Sequence, residues 1–209
     1  MNFTKHSNLE GTHAILSPSK SGWIRYTGKD VFLKKLKSYY ASEIGTLLHE
    51  FAAKRIELGM KLRKGDSDSV LFFLRSKGIP KSVIDMESIL PTLTMYINDG
   101  IGFKMTPEVV LWYSDSCYGT TDTISFRNKI LRIHDYKSGA IPAKMDQLLG
   151  YAALFCLEYH VSPEKISSEL RIYQSGEILF HKPESEEILS FMKSIQEANT
   201  IIEELKGEL

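Results

Sequence analysis

The sequence predicts an α+β protein, and three observations predict it. The first half of the chain is dominated by segments whose apolar residues recur at helical spacing. From Pro107 the character changes: EVVLWYS, GTTDTISF and KILRIHDYK are rich in β-branched and aromatic residues and separated by turn-forming clusters, a meander of about three strands. Helical character then returns in KMDQLLGYAALFCLEYH, a buried helix, before a last strand region, ELRIYQSGEILFHKP, with a turn at Ser175-Gly176.

The elements follow in order. In LSPSKSGWIRY, Ser17 or Ser19 suits a helix N-cap and Pro18 a first turn, giving a short helix over about 18 to 26. Ile44, Leu47, Leu48, Phe51 and the stem of Arg55 predict a longer helix over about 42 to 58, with Gly59 as its stop. SVLFFLRSKG and SVIDMESILPTLTMYINDG, parted by the breaker GIP, form a helical insert over about 60 to 105. After the strands, Ile188, Leu189, Met192, Ile195, Ile201, Ile202 and Leu205 mark a final amphipathic helix over about 184 to 207. With 209 residues and 43% hydrophobic content, the expectation is one domain spanning 1–209.

Composition narrows the function classes. Twenty-six basic and 26 acidic side chains cancel, so a polyanion would have to be held by a local basic patch. Lys34, Lys35 and Lys37, or Lys61, Arg63 and Lys64, are the candidates, each also readable as a solvated face. Cys117 and Cys156 match no CxxC spacing, which argues for a reducing compartment and against a thiolate metal site. The polar N-terminus and the lack of any run of about 18 apolar residues predict a soluble cytoplasmic protein without membrane contact.

The stretch LRIHDYKSG carries the most unusual pattern. Side chains alternate along a strand, so Leu131, Ile133, Asp135 and Lys137 share one face, which starts apolar and ends charged. On the preceding strand Asp122 stands in line with Ile124 and Phe126 in the same way. A two-residue turn at Arg127-Asn128 would set Asp122 opposite Ile133, on the same face as Asp135. Two converging buried carboxylates repel and need a positive partner, which Lys137 supplies in part and Mg²⁺ or Mn²⁺ would complete. Taken alone, Asp135 and Lys137 read as an exposed ion pair, which is common and worth little.

Other residues extend the pattern. Gln147 and Tyr151 lie one turn apart on the following helix, with Gly150 between them suggesting close packing. Gly45 and His49 share one side of an earlier helix, and Glu108 opens the first strand of the meander. A neutral imidazole can ligate a metal.

In this order GTLLHE, PEVVLW, GTTD, HDYKSG and QLLGY resemble the PD-(D/E)XK nuclease superfamily, within it the RecB-like group that includes relatives of phage lambda-type exonuclease. The resemblance runs from His49 to Tyr151, and LSPSKSGWIRY is similar to the N-terminal helix of RecB-like nuclease domains. It implies a restriction-endonuclease-like fold, a central mixed sheet flanked by helices. It also implies Asp122 and Asp135 as metal ligands joined by His49, Glu108 and the carbonyl of Tyr136, Lys137 as the catalytic lysine, and Gln147 and Tyr151 as DNA-handling residues. Two cysteines cannot supply the four ligands of the iron-sulfur cluster that some members carry, so no cluster is expected.

The resulting expectation is an Mg²⁺- or Mn²⁺-dependent DNA nuclease, an exonuclease on linear DNA in phage-like recombination or DNA processing. It would work in the host cytoplasm if phage-encoded, and a homo-oligomer or a recombination partner protein is open. A structure-specific endonuclease, or a non-catalytic DNA-binding or regulatory protein on the same fold, is the alternative.

Overall fold

A computed structural model describes residues 4–9, 14–63, 65–139 and 141–208. The chain divides into two compact units, Met1–Glu43 and Ile44–Leu209. In the first, a 3-10 segment Pro18–Arg25 follows Ser17, which does not cap it through its side chain. Ser17 instead accepts the indole N–H of Trp23 on its carbonyl at 3.0 Å, and the segment kinks at Lys20.

Helix α1 spans Lys29–Glu57, starting well before the expected residue 42. All of its buried residues, Ile44, Gly45, Leu48, Ala52 and Ile56, lie in the later part. The earlier turns therefore carry no burial pattern to read, only helix-favouring lysine and leucine. Gly59 ends the run with a left-handed backbone, φ 65°. Helices α2 (Ser67–Ser76) and α3 (Met86–Gly102) make up the insert. Asp85 caps α3 through the Ser88 N–H, and the Asn98 amide bonds both the N–H and the carbonyl of Leu62 at 2.9 Å.

The sheet holds β1 (Thr106–Ser114), β2 (Cys117–Arg127), β3 (Ile130–Lys137), β4 (Ser167–Gln174) and β5 (Glu177–His181), in that spatial order. Every neighbouring pair is antiparallel except β3 with β4, so the sheet is mixed. Helix α4 (Asp146–Glu158) connects the parallel pair, and α5 (Ser185–Glu208) closes the chain. On one face Leu131, Ile133, Leu170 and Ile172 pack with Leu148, Ala152 and Phe155 of α4 and Ile188 of α5. On the other, Tyr96 of α3 packs its ring against Tyr136 and Tyr173.

The β2–β3 turn differs from expectation. Asn128 and Lys129 form it, both left-handed with φ 52° and 60°, and Arg127 pairs with Ile130. A primed two-residue turn requires that conformation, and asparagine suits its first position. The slip is two residues, which returns each side chain to its own face.

Among the described residues no helix is long and apolar enough to cross a membrane.

Candidate active site

The recorded β2–β3 pairs stop at Thr123 with His134. One step further, Asp122 gives up the ladder and its Oδ2 accepts the backbone N–H of Tyr136 at 2.8 Å. The strands part there, and the opening brings Asp122 beside Asp135 rather than opposite Ile133. On the other side of β2, Pro107 pairs with Thr123 and Val109 with Thr121, so Glu108 lies across from Asp122. Glu108 has a left-handed backbone, φ 53°, which costs a non-glycine residue about 1 kcal/mol or more. Three strands thus deliver three carboxylates to one row.

Asp135 is 2% exposed. Lys137 Nζ stands 3.0 Å from both of its oxygens but is aligned to donate to Oδ1 only. Oδ2 is buried without a directed hydrogen bond. The same ammonium donates to Gln147 Oε1 at 3.1 Å, and Gln147 Nε2 is 3.5 Å from the Tyr151 hydroxyl. Gln147 and Tyr151 therefore reach the site through Lys137.

His49 Nδ1 is 3.3 Å from Asp122 Oδ2, and its ring meets Tyr136 edge-on at 5.4 Å. Burial holds its pKa below the ordinary value, so the imidazole is neutral at pH 7. Burial is also the main reason the carboxyls of Asp122 and Asp135 are both pushed up to about 6, and each carboxylate has an acidic neighbour adding to the shift. Asp122 and Asp135 share the Lys137 ammonium, while Glu108 adds negative charge beside Asp122.

Two glycines let this packing happen, and neither is Gly150. A Cβ on Gly45 would stand 2.8 Å from Ser138 Oγ, so α1 can approach the end of β3 and set His49 one turn away. A Cβ on Gly119 would meet Tyr151 Cε1 at 3.0 Å, whereas one on Gly150 meets nothing within 4 Å. The close packing inferred at Gly150 belongs to Gly119.

An open groove of about 1000 Å³ leads away from His49, Glu108 and Asp122. Its lining includes Phe51 and Phe73, whose rings are 5.2 Å apart, and the Arg55 guanidinium lies 5.3 Å over Phe51. The groove's cations are engaged, Lys54 with Glu57 at 2.8 Å and Arg55 with Asp66 at 3.4 Å. Lys34 and Lys37 are exposed in the first unit, while Lys64 lies outside the described residues.

Sequence reading missed Gln174. It pairs with Lys137 across β3 and β4, and its side chain bonds the carbonyls of Gly139 and Ile141 at 2.5 and 2.7 Å and the Ala143 N–H at 3.1 Å. It fastens the chain just after the lysine. Only the parallel pairing reveals this, since nothing local in IYQSG signals it.

Among the described residues no three His, Cys, Asp or Glu side chains stand close enough to cage an ion by themselves. The donor set nevertheless suits a hard divalent cation that keeps water and substrate oxygens in its shell: two carboxylates at about neutral poise, one with an unsatisfied oxygen. No family's sequence model matches this chain, and no curated protein matches it in sequence.

Proposed function

We propose that the protein is a metal-dependent deoxyribonuclease with a restriction-endonuclease-like fold, hydrolysing phosphodiester bonds at the Asp122, Asp135 and Lys137 site. One observation carries this reading: a buried carboxylate with an oxygen that lacks a directed hydrogen bond, held by a lysine two residues on and set beside a second, half-buried carboxylate. Such an excess of negative charge costs stability unless a cation binds.

Asp122 and Asp135 would hold Mg²⁺ or Mn²⁺, with Glu108, neutral His49 and the Tyr136 carbonyl as the further protein donors. When bound, a divalent ion lowers the pKa of an attacking water and stabilises charge on the phosphate and leaving oxygens. The chain's own groups supply the rest. Asp135 and Gln147 fix the Lys137 ammonium from two sides, so it presents a proton donor of set direction to a phosphate oxygen or to the incoming water. Tyr136 N–H anchors Asp122, and the groove beside it, lined by Phe51 and Phe73, offers an apolar wall next to the scissile phosphate. Within the nuclease class, we favour an exonuclease on linear DNA, by the same resemblance that names the motifs.

The test is incubation of the purified protein with linear and with circular DNA, in Mg²⁺, in Mn²⁺ and in chelator, alongside Asp135→Ala. Linear DNA should disappear only with metal and only with the unsubstituted protein. Loss that survives both chelator and the substitution would refute the mechanism; equal loss of circular and linear DNA would refute exonuclease action and leave the nuclease.

A further inference from the structure

The Lys137 ammonium is held from two elements, by Asp135 of its own strand and by Gln147 in the first turn of α4. Residues 138–145 join those elements. Along them Ser138, Gly139, Ile141 and Pro142 are exposed, Ile141 by 86%, while Ala143 and Met145 pack against the core. Among the described residues no main-chain group bonds the carbonyls of Gly139 and Ile141 or the N–H of Ala143.

Gln174 bonds all three. Its backbone is fixed on both sides, paired with Lys137 in the parallel ladder and with Glu177 across the β4–β5 turn. From there Nε2 donates to the Gly139 and Ile141 carbonyls at 2.5 and 2.7 Å, and Oε1 accepts the Ala143 N–H at 3.1 Å. Water would satisfy exposed backbone groups equally well, so what the three bonds add is position. Strand neighbour, loop, Gln147 and ammonium form a closed ring that begins and ends at Lys137. Leu148, Leu149 and Ala152 anchor α4 in the core independently, so losing the three bonds frees the loop and the start of the helix rather than the fold.

We propose that Gln174 is a positioning residue for the reaction, acting through the loop and Gln147 to hold the Lys137 ammonium at one distance from the reacting phosphate. The inference rests on the nuclease reading and adds a residue outside the charged row. A displacement on the order of 1 Å at the lysine is enough to slow the chemical step many-fold.

Gln174→Met keeps the length of the side chain and removes its three bonds. On linear DNA with Mg²⁺, kcat should fall by about tenfold or more while KM and the thermal midpoint stay unchanged. Gln147→Ala should lower kcat as well, and the double variant should lose no more than the worse single one, because both act through one contact. Amide exchange read by mass spectrometry should speed up in Gln174→Met across residues 139–147 and not in β3 or β4. Unchanged kcat, losses that multiply, or a loss matched by a lower midpoint would overturn the proposal. An unsubstituted protein that leaves DNA intact would refute the nuclease reading instead. Exchange then decides whether Gln174 holds the lysine's surroundings, and an unchanged rate across 139–147 would overturn that.

Discussion

Strand β3 buries His134 toward α3 and Asp135 toward α4, and the fold provides for the two in opposite ways. Around His134 the charges are matched. Asp99 accepts the Tyr173 hydroxyl at 2.6 Å and the Arg171 guanidinium at 3.0 Å, and Arg132 bonds Glu169 at 2.7 Å. Phe103 lies within 5.0 Å of both guanidinium carbons. Burial, reinforced by Arg171 and Arg132, pushes the His134 pKa down to about 3, so the ring stays neutral. Around Asp135 a second carboxylate, Asp122, draws on the same lysine. The first face uses buried polarity to hold α3 on the sheet, and the second stores a charge imbalance that a bound cation would relieve.

The largest effect should come from removing the imbalance. With Asp135→Asn, DNA hydrolysis should fall by at least about a hundredfold, since both a metal donor and the lysine's charged partner are lost. The metal-free protein should nevertheless gain on the order of 2 kcal/mol at pH 8, because a buried carboxylate that would rather be neutral is gone. Thermal melts should show Mn²⁺ raising the midpoint of the unsubstituted protein and not of the variant. A variant less stable than its parent in chelator would mean that Lys137 already balances the site.

The matched face should respond in the opposite sense. Asp99→Ala strands the Arg171 guanidinium and the Tyr173 hydroxyl together, and about 2–3 kcal/mol of stability should be lost, discounted for partial exposure. The urea midpoint should drop with the slope unchanged, while hydrolysis per folded molecule stays near normal. Unaltered stability would show that this network holds nothing.

The two faces also differ in how far the sequence exposes them. Asp122, Asp135 and Lys137 stood out because charge interrupts an alternating apolar run, and that signal survives a two-residue error in the turn. His134 and Arg171 looked like the polar half of ordinary alternating strands. Their partner Asp99 lies on a helix 72 residues from Arg171 in sequence, with no periodicity linking them. Gln174 was hidden for the same reason, since its role exists only once β4 runs parallel to β3. Among the glycines, Gly45 and Gly119 matter through what stands opposite them in space, while Gly150 drew attention merely by interrupting a helix. The early turns of α1 escaped because a burial pattern cannot mark residues that are not buried.

The smallest effect is the most discriminating, because pH should act on the two faces with opposite sign. His134 has a folded pKa of about 3 against an ordinary 6.5, so below about 6.5 the unfolded chain takes up a proton that the folded one refuses. Its contribution is present above that value and is lost as pH falls, by up to about 1.4 kcal/mol per unit. Asp135 is pushed up to about 6 from 3.8, so the folded chain keeps its proton longer. Its contribution is full at low pH and is lost as pH rises through 6. In metal-free buffer between about pH 4.5 and 8, Asp135→Asn should therefore gain on the parent as pH rises and level off above about 6.5. His134→Phe should gain on it as pH falls below the same value. Denaturant midpoints across that range measure both slopes, and slopes of the same sign would show that one of the two groups is not buried in the charge state assigned to it.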